Sequence, residues 1–167
     1  GIVPFNFPAM IPFGWMIPLC ITTGNTFVLK AASQTPMTAI RMLELLHEVG
    51  LPAGVVNLVT TSRNEAELLL RHPDVKGISY VGSSVVGRHI YATAAANRKR
   101  VQCLGEAKNH GLILRDANLE MTARVIINSS FGCAGMRCMA LPVVVVEEKV
   151  ADEFMSYLVQ FAKERKV

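Results

Sequence analysis

Cys138 stands in FGCAGMRCMA, residues 131–140, where glycines punctuate a loop between an apolar helical run and the strand-like LPVVVV. A thiol in such a loop can lie at the mouth of a cleft. The neighbouring cation Arg137 favours the thiolate, which is the nucleophilic form. By itself a cysteine in an apolar chain is more often a small buried hydrophobe. What raises Cys138 above that reading is the other end of the chain, where PFNFP holds Asn6 in an apolar loop bounded by prolines. Two further places suit a nucleotide. Lys30 closes TFVLK, so its ammonium can reach a ribose or a phosphate. VGSS, residues 81–84, places Gly82 and Ser83 at a helix start, where backbone N–H groups and the helix dipole favour a pyrophosphate. The same residues also read as a turn with its N-cap and a solvated strand end. The dinucleotide fingerprint GxGxxG is missing.

Alternating short strands and helices must carry these residues. Strands are predicted at 26–30, 54–59, 76–81, 100–104, 110–114 and 142–148. Helices are predicted at 36–49, 64–71, 84–96, 119–130 and 151–166. Pro36 suits a first helical turn and Gly50 the position just past a helix end. Strands rich in Val, Ile and Leu, each separated by one helix, indicate an α/β fold with a doubly wound, Rossmann-like parallel sheet covered on both faces. Ligands of such sheets bind at the carboxyl ends of the strands, where Lys30 and Gly82–Ser83 fall.

Composition narrows the function. With 167 residues, 51% hydrophobic, the chain can fill a core as one domain or one domain plus part of another. Aromatics at 7% argue against a nucleic-acid stacking surface, and Arg98, Lys99 and Arg100 read as a solvated turn before a strand. The net charge of +4 still favours anionic small molecules. Cysteines at 20, 103, 133 and 138 form no CxxC pair, and the four histidines show no ligand register, so no metal is expected. Free thiols suit a reducing compartment. The apolar run 8–22 is interrupted by Pro12, Gly14 and Pro18, so it should not span a membrane, and no targeting signal is visible. Cys133 lies near enough in sequence to Cys138 for a regulatory disulfide to be conceivable, although simple packing is the commoner outcome.

In order and spacing, PFNFP, GNTFVLK, GLPAGVVNLV, YVGSSVVG, LGEAKNH and GMRCMA resemble the aldehyde dehydrogenases. RVQCLGEAKNH followed by RCMA is most similar to the CoA-acylating methylmalonate-semialdehyde dehydrogenases. The resemblance covers the whole chain but only about the middle third of a typical member. It implies a nucleotide-binding portion over 1–108 and the start of a catalytic domain over 109–167. Cys138 matches the nucleophile, and Asn6 matches the amide of the oxyanion hole. Val3, Phe5, Lys30, Ser83 and Gly105 match cofactor positions, with Gly82 opening the pyrophosphate loop. Arg137 is expected to help hold the substrate carboxylate. NAD is the implied cofactor and coenzyme A the cosubstrate. The implied substrate is malonate or methylmalonate semialdehyde, and the parent protein is expected to be a homo-oligomer of the cytoplasm, or of the mitochondrial matrix in a eukaryote. Nucleic-acid and membrane partners are not expected.

Departures from the family pattern shape the chemistry. Most members carry Glu-Leu-Gly-Gly-Lys, whose glutamate activates water. Here Leu104 or Cys103 falls at that place, depending on register, and neither is a base. The semialdehyde branch also lacks the glutamate and resolves its acyl-enzyme with CoA. Glu106 stands where that branch has a small residue, and solvent exposure is its expected fate. KAAS, residues 30–33, replaces Lys-Pro-Ser-Glu, so Ser33 removes a carboxylate that would repel a 2′-phosphate. Partial tolerance of NADP follows, with Gln34 able to hydrogen-bond either ribose. The alternative is a truncated or degenerate, non-catalytic relative that binds only a nucleotide or a partner.

Overall fold

A computed structural model describes residues 1–166. It divides into two compact units, Gly1–Glu106 and a second beginning at Ala107.

In the first unit, β1 (Phe27–Lys30) pairs in parallel with β2 (Val56–Val59), and β3 (Gly77–Val81) with β4 (Arg100–Leu104). Residues 1–3 join the two pairs. Ile2 bridges in parallel to both Lys30 and Tyr80, with Ile2 N–H donating to Ser79 O at 2.9 Å and Lys30 N–H to Gly1 O at 2.8 Å. The order is therefore β2, β1, the Ile2 segment, β3, β4. The chain winds first to one side of Ile2 and then to the other, as the α/β pattern led one to expect. Burial explains the central position of β1, where Phe27 and Leu29 are buried and alternate with Val28 and Lys30.

Helices α2 (Pro36–Glu48), α3 (Arg63–Arg71) and α4 (Ser84–Ala96) connect the strands. Pro36 lies in the first turn of α2, and Gly50, at φ 87°, follows its end. Helix α3 begins at Arg63, where Ser62 and Glu65 form a reciprocal capping box: Ser62 N–H donates to Glu65 Oε2 at 2.8 Å and Glu65 N–H to Ser62 Oγ at 3.3 Å.

The apolar run 8–22, to which the sequence pattern assigns no element, is helical: Met10–Met16 forms a wide π-helical turn that leads directly into α1 (Ile17–Thr22). Pro18 falls in the first turn of α1, where its missing N–H costs nothing, and Ile17 N–H reaches back to Pro12 O. One expectation is corrected: the basic cluster is not wholly solvated. Lys99 is buried at 8% exposure; its ammonium donates to Val75 O at 2.6 Å and also to His72 O. The His72 carbonyl at the C-cap of α3 and the Val75 carbonyl in the turn beyond it thereby gain a cationic donor. No described helix is long and apolar enough to cross a membrane.

In the second unit, β5 (His110–Ile113) pairs in parallel with β6 (Val143–Val146), and α5 (Leu119–Phe131) packs with α6 (Glu148–Lys163). Ile113, Ala123, Ile126, Ile127, Phe154 and Phe161 form its core. The last strand is shorter than expected and the last helix begins earlier, because Glu147 is its N-cap residue. The Glu147 carboxylate accepts from Arg115 N–H at 3.0 Å and pairs with the Arg115 guanidinium at 2.8 Å. On α5 the Arg124 guanidinium lies 4.1 Å over the Phe161 ring.

Candidate active site

The sheet order puts a crevice between the Ile2 segment and β3, where the direction of winding reverses. A cleft of about 590 Å³ opens there. Val3, Phe5, Lys30, Ser33, Gln34, Gly82 and Ser83 all line it, so residues spread over the first half of the chain meet in one place. Thr35 Oγ1 donates to Phe5 O at 3.1 Å and ties the first loop to the start of α2. Lys30 is the last residue of β1; Ser33 and Gln34 follow in the exposed loop before α2.

Gly82 is required by sterics. A Cβ on it would come within 2.2 Å of the Tyr80 hydroxyl, which donates to Ser83 O at 3.0 Å. Burial pushes the Tyr80 phenol above its usual pKa, so this hydroxyl keeps its proton for that bond. Ser83 is the N-cap residue of α4 yet makes no side-chain capping bond, so the first turn of α4 keeps N–H donors for a ligand. Gly105 does not line the cleft. It passes so close to α4 that a Cβ would stand 2.6 Å from Ser84 Oγ, which accepts Glu106 N–H at 3.1 Å. Glu106 is exposed.

Among the residues of this cleft that sequence reasoning missed are Arg63, Glu67 and His89. The Ser62-x-x-Glu65 pattern could have placed Arg63 at a helix start. No local signal announces the contact of Glu67 with His89, because only the packing of α3 on α4 brings them together. A larger cleft, about 870 Å³, opens at the amino ends of the strands and contains none of the expected nucleotide residues.

In the second unit Cys138 is exposed in the loop between α5 and β6, as its glycine-flanked setting suggested. Asn109, another residue missed, fixes that loop. Its side-chain amide donates to Cys138 O at 2.9 Å and to Ala140 O at 2.8 Å. Ala140 N–H closes a turn onto Arg137 O at 3.1 Å, and Ser130 Oγ donates to Leu141 O at 2.5 Å. Before the turn, Cys133, Ala134 and Gly135 all take positive φ, at 52°, 53° and 72°. Two non-glycine residues in that region represent stored strain of about 1–2 kcal/mol each. Arg137 is exposed; its guanidinium lies against Gly132, where a Cβ would approach Nη1 to 2.9 Å. No carboxylate pairs with Arg137 among the described residues, which leaves it able to receive an anionic group. Cys133 and Cys138 both carry free thiols. Asn6 is half-buried in the 4–8 loop of the first unit. Among the described residues no group of three or more His, Cys, Asp or Glu side chains could hold a metal ion.

The model of the aldehyde dehydrogenase family matches residues 1–167. Malonate-semialdehyde dehydrogenase 2 of Geobacillus kaustophilus is 54% identical over 167 residues, and malonate-semialdehyde dehydrogenase of Lacticaseibacillus casei is 48% identical over the same length. All of the present chain is covered in both cases, against 34% of each relative, so it spans about a third of their length. A Sinorhizobium meliloti protein described as a methylmalonate-semialdehyde dehydrogenase, solved in complex with NAD, superposes with a TM-score of 0.95 at 44% identity. That match covers 99% of this chain and 34% of the other. The methylmalonate-semialdehyde dehydrogenase of Oceanimonas doudoroffii superposes equally well at 42% identity. The chain belongs to the aldehyde dehydrogenase family.

Proposed function

We propose that the protein oxidises a short carboxylated semialdehyde, malonate or methylmalonate semialdehyde, to an acyl-CoA with NAD. The observation that carries this reading is the convergence of Val3, Phe5, Lys30, Ser33, Gln34, Gly82 and Ser83 on one cleft, in a chain 54% identical to a malonate-semialdehyde dehydrogenase.

The cleft fits a dinucleotide. Gly82, without a Cβ, admits the Tyr80 hydroxyl beside the start of α4, and the uncapped first turn of α4 offers N–H donors to a pyrophosphate. Lys30, Ser33 and Gln34 would hold the adenosine ribose, and Val3 and Phe5 would line the cofactor wall. When bound, the nicotinamide supplies the hydride acceptor.

The chain's own residues do the rest. The Cys138 thiolate adds to the aldehyde carbon, and the carbonyl π electrons move to oxygen. On the family resemblance, the Asn6 side-chain amide would be the oxyanion donor, a contribution of about 3 kcal/mol for a well-placed donor. Arg137 attracts the substrate's distal carboxylate. After loss of hydride the acyl group remains as a thioester on Cys138. With Leu104 or Cys103 where a water-activating glutamate would stand, the CoA thiolate resolves it, forming the acyl–CoA bond and returning the Cys138 thiolate. A homo-oligomeric parent belongs to the same proposal.

Full-length enzyme assayed with malonate semialdehyde tests it. NADH formation that requires CoA and yields an acyl-CoA is expected. Equal NADH formation without CoA, with free acid as product, would overturn thioester transfer. Nucleotide binding without turnover of either semialdehyde would overturn the oxidation.

A further inference from the structure

We propose that nucleotide affinity in the first unit's cleft is linked to a proton on His89: paired with Glu67, its imidazolium form favours an anionic dinucleotide over the neutral form. The inference rests on the reading of that cleft as a nucleotide site.

Glu67 lies on α3 and His89 in the second turn of α4. His89 Nε2 meets Glu67 Oε1, the one hydrogen bond between side chains of these two helices among the described residues. Both side chains line the cleft. Leu70, Val86 and Ile90 line it beside them, so an apolar wall shields one flank of the pair from water.

Glu67 is the only carboxylate among the residues lining the cleft, and it opposes a ligand that carries a pyrophosphate. Arg71 lies 3.7 Å from Glu67 but does not line the cleft. Glu65 of α3 is held in its capping box, also outside the lining. Of the charged side chains that do line it, Lys30, Arg63, Glu67 and His89, only the imidazole is of a type whose charge ordinarily changes between about pH 5 and 8. Tyr80 of β3 faces the cleft too, and burial pushes its phenol up, away from that range. Arg88 and Tyr91 of α4, and Arg100 and Cys103 of the adjoining β4, lie outside the lining.

Both forms of His89 keep the bond to Glu67, because a neutral ring protonated at Nε2 also donates. Protonation adds the charge that cancels the Glu67 carboxylate. An anionic dinucleotide entering the cleft therefore favours the imidazolium, and by reciprocity its binding draws a proton onto His89. With side-chain exposures of 46% for His89 and 31% for Glu67, solvent screening keeps the effect to a few-fold.

The test is calorimetric titration of the full-length protein and its His89→Gln and Glu67→Gln variants with NAD, at about pH 6 and about pH 8. NAD suits the test because its pyrophosphate is fully ionised at both. The parent is expected to bind about threefold tighter at the lower pH, with net proton uptake when the titration is repeated in buffers of different ionisation enthalpy. His89→Gln should lose both the pH dependence and the uptake. Glu67→Gln, which removes the opposing charge, should bind at the higher pH about as tightly as the parent does at the lower. Affinity that does not tighten at the lower pH, or that tightens equally in His89→Gln, overturns the proton link and leaves the nucleotide cleft standing. If NAD binds the parent at neither pH, the cleft reading falls and the link with it. Both side chains are partly open to solvent, so both variants should melt at the temperature of the parent; should one fail to fold, the parent's proton uptake and the other variant decide.

Discussion

The side-chain amide of Asn109 donates to the carbonyl oxygen of Cys138 at 2.9 Å and, in the same grip, to Ala140 O at 2.8 Å. One residue thereby clamps both ends of the turn that presents the thiol. Asn109 acts through the backbone, as a positioning residue, and leaves the Cys138 side chain exposed.

Replacing Asn109 with alanine removes both donations. Stability is expected to fall by about 1–3 kcal/mol. In the full-length enzyme kcat should fall by about 10–100-fold, with KM for the cofactor little changed, because a misplaced nucleophile affects chemistry more than binding. Denaturant melts and steady-state kinetics check the two halves. A matching loss of nucleotide affinity would contradict a local role.

Thiol alkylation followed by mass spectrometry should mark Cys133 and Cys138, both exposed, well before Cys103. Cys103 is only partly accessible, and burial raises its pKa above the ordinary thiol value. The sign for stability follows. A raised folded pKa leaves the Cys103 contribution intact below the ordinary thiol pKa and erodes it as pH rises toward the folded value. Cys103→Ala should therefore flatten the alkaline decline in stability, measured by melts across that range.

Gly82→Ala places a methyl group 2.2 Å from the Tyr80 hydroxyl. A cost of about 1–3 kcal/mol is expected from the overpacking, together with loss of nucleotide binding. Adding Tyr80→Phe should recover part of the stability by removing the nearest clashing atom. Paired melts of the single and double variants decide this, and no recovery would mean that the ring, not the hydroxyl, sets the limit.

Lys99→Met keeps the aliphatic stem but deletes the ammonium that serves Val75 O and His72 O. Leaving those carbonyls without their cationic donor should cost about 1.5–3 kcal/mol. Arg98→Ala, on an exposed neighbour, should cost less than half as much. Equal effects in thermal melts would make the cluster the solvated turn that its charge suggests.

Much of this molecule is legible in local patterns. The alternation of Phe27 and Leu29 with Val28 and Lys30, Pro36 opening a helix and Gly50 following one are short-range preferences, and the elements built on them form where expected. The loop setting of Cys138 and the convergence of Lys30, Gly82 and Ser83 at strand ends follow from the same patterns, because strand direction alone puts those residues on one edge. The tertiary structure alone decided the rest. Prolines in the 8–22 run read as breaks, yet a π-helical turn absorbs Pro12 and α1 accepts Pro18 in its first turn. A basic triplet reads as solvated until the end of α3 arrives to claim Lys99. Arg63 enters the cleft, and Asn109 grips Cys138 O across 29 residues of chain, only once strands from distant stretches have paired. Short-range sterics and capping act within a few residues and leave a trace in the sequence. Where a long polar side chain finds its partner depends on which backbone carbonyls and charges the fold carries to it, and no local pattern encodes that.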